Sequence, residues 1–202
     1  MTITWLGHAC FVLESGAFRV LLDPFKGVPG LADIAAEADA VYCSHGHFDH
    51  SHTENVTLSG REDNPFVLKE IPVFHDEEGG AKRGENMIRS FTADGITVVH
   101  LGDLGHQLSA EQLAAIGKCD VLLVPVGGTY TVDPLGARSV IDAVGPRVAI
   151  PMHYRRGEMG FDVLRTVDDF TALYPAELVK EYDGPSLTVD ASTPDHVAVL
   201  KV

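Results

Sequence analysis

The stretch Ser44-His45-Gly46-His47-Phe48-Asp49-His50-Ser51-His52 constrains this chain more than any other part of it. Four of the ten histidines fall within residues 45–52, with an aspartate among them. His45 and His47, two apart around Gly46, can turn their imidazoles to one cation. Asp49 and His50, adjacent on the next turn, can face a second one nearby. Two such half-sites roughly 3.5–4 Å apart let one hydroxide bridge a hydrolytic metal pair. A solvated His-rich turn, or an incidental metal-binding tract, is the plainer alternative.

One cluster cannot close two coordination shells, so further ligands must come from elsewhere in the chain. His75-Asp76 follows the strand-like Phe66–Phe74, Asp103 lies in HLGDLGH after the apolar Ile96–His100, and His153 lies in PMHY after Arg147–Ile150. Each sits where a strand would end, which gathers them at one edge of a sheet, where loops converge. His100 also follows a strand and competes with His75 for the third place on the first cation.

The apolar pattern gives a strand meander over residues 2–23, an Ala-rich helix over Leu31–Ala38 and a buried strand over Ala40–Cys43 that opens onto the histidines. Met87–Phe91 and Ile96–Leu101 flank Asp94-Gly95, the signature of a primed two-residue hairpin turn. A strand–helix alternation follows: a helix at Ser109–Ile116 with Ser109 as N-cap and Gln112 three residues later, a strand at Asp120–Pro125, and a helix from Asp133-Pro134 to Val144. A strand at Arg147–Ile150, a helix at Phe161–Leu173 and closing strands at Ser186–Val189 and Val197–Val202 complete it. One domain over 1–202 is expected, an α/β arrangement of two mixed sheets with helices outside.

With 15 Lys+Arg against 29 Asp+Glu the net charge is −14, and no cationic cluster exceeds Lys82-Arg83 with Arg89 nearby. That disfavours extended nucleic acid, whose binding needs a basic face. The cysteines Cys10, Cys43 and Cys119 are odd in number and far apart, which suits a reduced, cytoplasmic chain. No apolar run is long enough to span a membrane. A small-molecule substrate is the expected partner, and the sequence sets no oligomeric state.

The pattern H-x-H-x-D-H at His45–His50, followed in order by His75, Asp103 and His153, resembles the metallo-β-lactamase superfamily. The surrounding words TWLGHACFVLE, LLDPF, HDEEGGAKRGEN, HLGDLGH, PVGGTYTVD and PMHY resemble its compact branch, related to bacterial sugar-phosphate lactonases and other metal-dependent hydrolases. The likeness runs from about Ile3 to Tyr154. It implies a four-layer αββα sandwich with the site at the sheet edge and two divalent metal ions. Zinc suits the imidazole and carboxylate set, as do Mn, Fe, Ni or Co. The resemblance puts His45, His47 and His75 on the first metal, Asp49, His50 and His153 on the second, and Asp103 between them. It favours His75 over His100 through the HDEEGGAKRGEN context.

The implied activity is hydrolysis by a metal-bridging hydroxide, oriented by Asp49, on a small ester, lactone or phosphoester. The alternatives are a phosphodiesterase or nuclease-type hydrolase, a diiron redox protein, and a non-catalytic metal-binding protein on the same fold. His106, three residues after Asp103, is a candidate proton shuttle or a support for Asp103, or else a capping histidine at the surface. His8 resembles a family position that supports the metals from behind. His52 reads as a solvated or supporting group and His196 as a surface one. Lys82, Arg83 and Asn86 form the one partly cationic loop that follows a ligand, a candidate for holding a substrate carboxylate or single phosphate or simply a solvated turn. Tyr130 and Tyr154 are candidates for hydrogen-bonding a developing oxyanion, or packing residues with a wet hydroxyl.

Overall fold

Alternation along the first strands decides how the molecule is layered. The computed structural model describes residues 1–202. In chain order the elements are β1 (Thr2–Gly7), β2 (Cys10–Ser15), β3 (Phe18–Leu22), β4 (Ala36–Ala38), β5 (Ala40–Tyr42), β6 (Val56–Leu58), β7 (Val67–Phe74), β8 (Glu85–Ala93) and β9 (Ile96–His100). They continue as α1 (Ala110–Ile116), β10 (Val121–Pro125), α2 (Pro134–Val144), β11 (Val148–Met152), α3 (Val167–Thr171), a short 3-10 turn, β12 (Val179–Glu181), β13 (Ser186–Thr188) and β14 (His196–Val199). Phe11 and Leu13 of β2 and Val20 and Leu22 of β3 face a large core shared with the second sheet. Cys10 and Leu21 turn the opposite way, into a smaller cluster with Phe25, Val28, Ile34 and Ala38. Successive side chains on a strand point to opposite faces, so the sheet carries a core on each side.

One sheet has five strands in the order β13-β1-β2-β3-β5, the other seven in the order β12-β14-β11-β10-β9-β8-β7. The strands β9, β10, β11, β14 and β12 are parallel neighbours, and β10 and β11 are wholly buried. Sheets of this kind need cover on both faces. Here the five-stranded sheet covers one face and the helices the other, since α1 and α2 contact the seven-stranded sheet and α2 contacts both α1 and α3. This is the expected α/β sandwich of two packed sheets, strand-rich with few helices. No helix is long and apolar enough to cross a membrane.

The helix ends follow their sequence signals. Ser109 and Gln112 form a reciprocal capping box on α1. Asp133 caps α2 ahead of Pro134, and Gly145, left-handed at φ 66°, closes it. The Asp94-Gly95 turn joins β8 to β9 with both residues at positive φ, as a primed turn requires.

Two expected helices are corrected. Residues 31–35 are irregular and Ala36–Ala38 form β4, because Ile34, Val28 and Ala38 are spent covering the outward face of β2 and β3, and Asp33 accepts the Gly27 N–H. Burial of that face outweighs alanine's helical preference. The helix expected over Phe161–Leu173 shrinks to α3. Upstream of its Thr166 cap, the Arg165 N–H donates to Gly127 and the Arg165 carbonyl accepts from Arg155, so that backbone ties loops together instead of turning.

Candidate metal centre

Strand direction alone brings the donors together. In the five-stranded sheet β1 and β3 point the same way and β5 is parallel to β3. In the seven-stranded sheet β7, two antiparallel steps from β9, points with β9, β10 and β11. The loops leaving these carboxyl ends carry His8, Asp23, Ser44–His50, His75, Asp103 and His153.

The donor atoms fall into overlapping groups, each within 4.8 Å: His45, His47 and His75; His8, Asp49, His50 and His153; and His45, His50 and Asp103. The buried Asp103 carboxylate lies at their junction. Its Oδ1 is 3.2 Å from His50 Nε2, and its Oδ2 is 3.1 Å from both His75 Nε2 and His153 Nε2. The residues the sequence put forward as ligands all lie in these groups, and His8 joins Asp49, His50 and His153 in one of them. His100 stands apart: its Nε2 donates to the Ala9 carbonyl and its Nδ1 accepts the Gly102 N–H, so both nitrogens are occupied away from the cluster.

Three of the inward-facing imidazoles are held from behind. His75 Nδ1 donates to the Tyr130 carbonyl at 3.0 Å, His50 Nδ1 to Asp23 at 2.8 Å, and His45 Nδ1 lies 2.9 Å from Ser44 Oγ. Such outer bonds fix the ring and leave the other nitrogen's lone pair for a cation. The sequence reading passed over Asp23. Its carboxylate accepts from the Ser44 N–H and hydroxyl, both at 2.6 Å, as well as from His50, so it braces His50 directly and His45 through Ser44. An acid at a strand end before proline, in LLDPF, was the available signal. His8, Asp23 and His153 all adopt left-handed φ, 50°, 45° and 55°, which non-glycine residues hold only where their surroundings impose it.

Burial and mutual charge set the electrostatics of the cluster. Burial, then His50, pushes His45 down to about 3, and burial, then His153, takes His8 down to about 3. Burial acts the same way on His50 and His75, but the Asp103 carboxylate, with Asp23 in the case of His50, outweighs it and raises both. Asp103 is kept well below the usual carboxylate range, despite burial, by His153 and His50. Buried His50 Nε2, His153 Nε2 and Asp103 Oδ1 have no hydrogen-bond partner although they sit 3.1–3.2 Å from one another's groups. Nitrogens and oxygens this close, buried and unaligned, are the donor set a divalent ion satisfies.

The other candidate residues are placed as follows. His106 is no proton shuttle in this arrangement: its Nδ1 donates to Gln107 and its Nε2 accepts the Phe74 N–H, which leaves no free nitrogen. Asn86 is buried and braces the Asp103 loop, donating to the Leu101 carbonyl and accepting the Asp103 N–H, so it does not face substrate. Tyr154 is packed against Trp5 in the core, 1% exposed, and cannot reach an oxyanion. His52 and His196 are engaged by Glu54 and Tyr182 respectively, away from the cluster. By contrast Lys82, Arg83 and Tyr130 line the cleft over the donors. The Asp76 carboxylate frames their loop by accepting the N–H groups of Glu78, Gly80, Lys82 and Arg83.

Gly105 explains the form of HLGDLGH. A Cβ there would lie 2.3 Å from the His75 carbonyl carbon and 2.4 Å from the Asp76 nitrogen. Gly105→Ala is therefore expected to destabilise the fold by about 1–3 kcal/mol and to displace His75. Denaturant unfolding and metal content of the purified variant check this, and a variant with wild-type values for both would refute it.

A β-lactamase superfamily domain model matches residues 2–153. A UPF0173 metal-dependent hydrolase of Archaeoglobus fulgidus is 30% identical over 194 residues, covering 76% of this chain and 83% of that protein. A UPF0173 protein of Pyrococcus furiosus is 32% identical over 183 residues, with coverage of 76% and 83%. A solved metallo-β-lactamase superfamily protein from Thermotoga maritima aligns over 98% of this chain and 97% of its own, at 37% identity and a TM-score of 0.78. With this sandwich, and with its donors in the order His45–His50, His75, Asp103, His153, the chain belongs to the metallo-β-lactamase superfamily.

Proposed function

We propose that the protein is a metal-dependent hydrolase that holds two divalent cations and cleaves a small ester, lactone or phosphoester. The observation that carries this reading is the convergence on Asp103 of imidazole nitrogens whose far sides are already bonded to Tyr130, Asp23 and Ser44. His45, His47 and His75 would hold one cation, Asp49, His50 and His153 the other, and Asp103 would touch both. Such ions, when bound, lower the pKa of a water toward about 7 and polarise a carbonyl or phosphoryl oxygen.

The chain's own groups supply the rest. Asp49 is held ionised against the desolvation of partial burial by its bond to His8, 3.3 Å away, so it stays an acceptor that can orient a water proton. His8 is buried, and its ring is 4.1 Å from that of His153, which fixes the Asp49 side of the site. Relatives named as metal-dependent hydrolases support the same activity.

Elemental analysis of the as-purified protein, paired with an ester, lactone and phosphoester panel, tests the reading. About two metal equivalents per chain are expected, with turnover that a chelator abolishes and a divalent metal restores. Metal-replete protein inert across the panel would point to a non-catalytic metal-binding role. Iron with oxygen consumption would point to redox chemistry.

A further inference from the structure

The cleft above the donors has a volume of about 360 Å³, within the range of small-molecule sites. Its walls beyond the donors differ in kind. One part is cationic: Lys82 and Arg83. Lys82 is tied to Glu78 at 2.6 Å, whereas half-buried Arg83 has no carboxylate partner and lies over the Tyr130 ring, 5.5 Å from its centroid. An unpaired guanidinium beside a metal-ligand cluster stands out in a chain of net charge −14.

Arg83 is also fixed relative to the donors. Tyr130, whose ring carries the guanidinium, accepts the His75 Nδ1 hydrogen bond through its carbonyl. The Arg83 N–H donates to Asp76, the residue next to His75, at 2.8 Å. The cation is thus clipped twice to the end of β7, from which His75 reaches the centre. A planar guanidinium held on an aromatic face presents its remaining N–H groups as a fork for a carboxylate or phosphoryl group.

The other part is apolar. Phe48, between His47 and Asp49, is 51% exposed, and its ring meets that of Phe161 edge-on at 6.4 Å. Phe161 in turn packs edge-on to His8 at 5.8 Å. A phenyl left exposed inside a ligand loop, beside a second aromatic ring, has surface to bury when something enters the cleft.

We infer that this site selects a small anion with an aromatic or bulky apolar body, Arg83 taking the charge and Phe48 with Phe161 the body. The inference rests on the hydrolase reading for the fate of the bound molecule, but recognition itself is a binding property and is tested as one. Calorimetric titration of the as-purified protein with phenylphosphonate, methylphosphonate and benzyl alcohol separates the contributions of charge and ring. Phenylphosphonate is expected to bind tightest, by roughly tenfold over methylphosphonate, with benzyl alcohol weakest.

Arg83→Gln is expected to weaken phenylphosphonate roughly tenfold at unchanged metal content, and Arg83→Lys to recover part of the loss. Phe48→Ala is expected to erase the preference for the phenyl compound while leaving methylphosphonate binding as it was. Equal affinity for the two phosphonates, no binding of either, wild-type affinity in Arg83→Gln, or loss of metal from that variant would each overturn the inference. Arg83-dependent binding in a protein that hydrolyses nothing on the panel would keep this inference and remove the hydrolase reading. Turnover together with binding indifferent to Arg83 would do the reverse.

Discussion

Asp103→Ala is expected to purify without a stable metal complement and to hydrolyse its substrate at background rate. Asp103 lies within 3.2 Å of three candidate donors, touching His50, His75 and His153. It is 2% exposed, so no water-borne ligand replaces it cheaply. The loss of metal affinity should exceed the roughly 10–100-fold cost of removing an outer hydrogen-bond partner, because a shared ligand and its negative charge go together. The loop itself should survive, since Asn86 holds the Asp103 N–H independently of the side chain. Near-ultraviolet circular dichroism, metal analysis and turnover on the same preparation distinguish these outcomes. Asp103→Asn keeps the volume and removes the charge; metal retained in Asn but lost in Ala would assign the effect to shape. Two metals and full turnover in Asp103→Ala would sink the assignment of this centre.

Removing Asp23 should produce the second-largest effect without replacing any candidate ligand. Asp23→Ala unties His50 Nδ1 and frees Ser44, which in turn contacts His45 Nδ1, so one deletion loosens two candidate donors. A loss of about 10–100-fold in metal affinity is expected, measured by competition with a chromophoric chelator. Stability should fall by about 1–3 kcal/mol from the buried Ser44 N–H and His50 Nδ1–H left without an acceptor. Alanine at the observed φ of 45° adds a further strain of about 1–2 kcal/mol. Asp23→Asn tolerates that backbone and keeps an acceptor, so it should recover most of the stability but only part of the metal affinity. If Asp23→Ala lost stability while binding metal as tightly as the wild type, Asp23 would be a fold residue alone.

Much of this was readable in the chain. The helix caps at Ser109 and Asp133, the Asp94-Gly95 turn and the burial of β10 and β11 depend on neighbours a few residues away, and local pattern encodes them. The order of the candidate donors was legible for a related reason: each group of them lies in the loop after a strand, and strands announce themselves by short apolar runs. Residues 31–38 and 161–165 were misread because their conformation is set by distant partners. The first segment covers the outward face of β2 and β3, and the second shares backbone hydrogen bonds with Gly127 and Arg155.

The same division runs through the site. Spacing and resemblance in the sequence determined which histidines and aspartates could form a metal centre, because adjacent donors and strand-end donors are one-dimensional facts. Only the tertiary structure decided which nitrogen of each ring is free. His75 turns Nε2 inward because Tyr130 takes its Nδ1, while His100 and His106 spend both nitrogens on the backbone. It also separated Arg83, unpaired in the cleft, from Lys82 bound to Glu78, Asn86 buried behind Asp103 and Tyr154 sealed in the core. A residue's type states what it can donate or accept; its hydrogen bonds and burial, fixed by residues far along the chain, decide what remains available for chemistry.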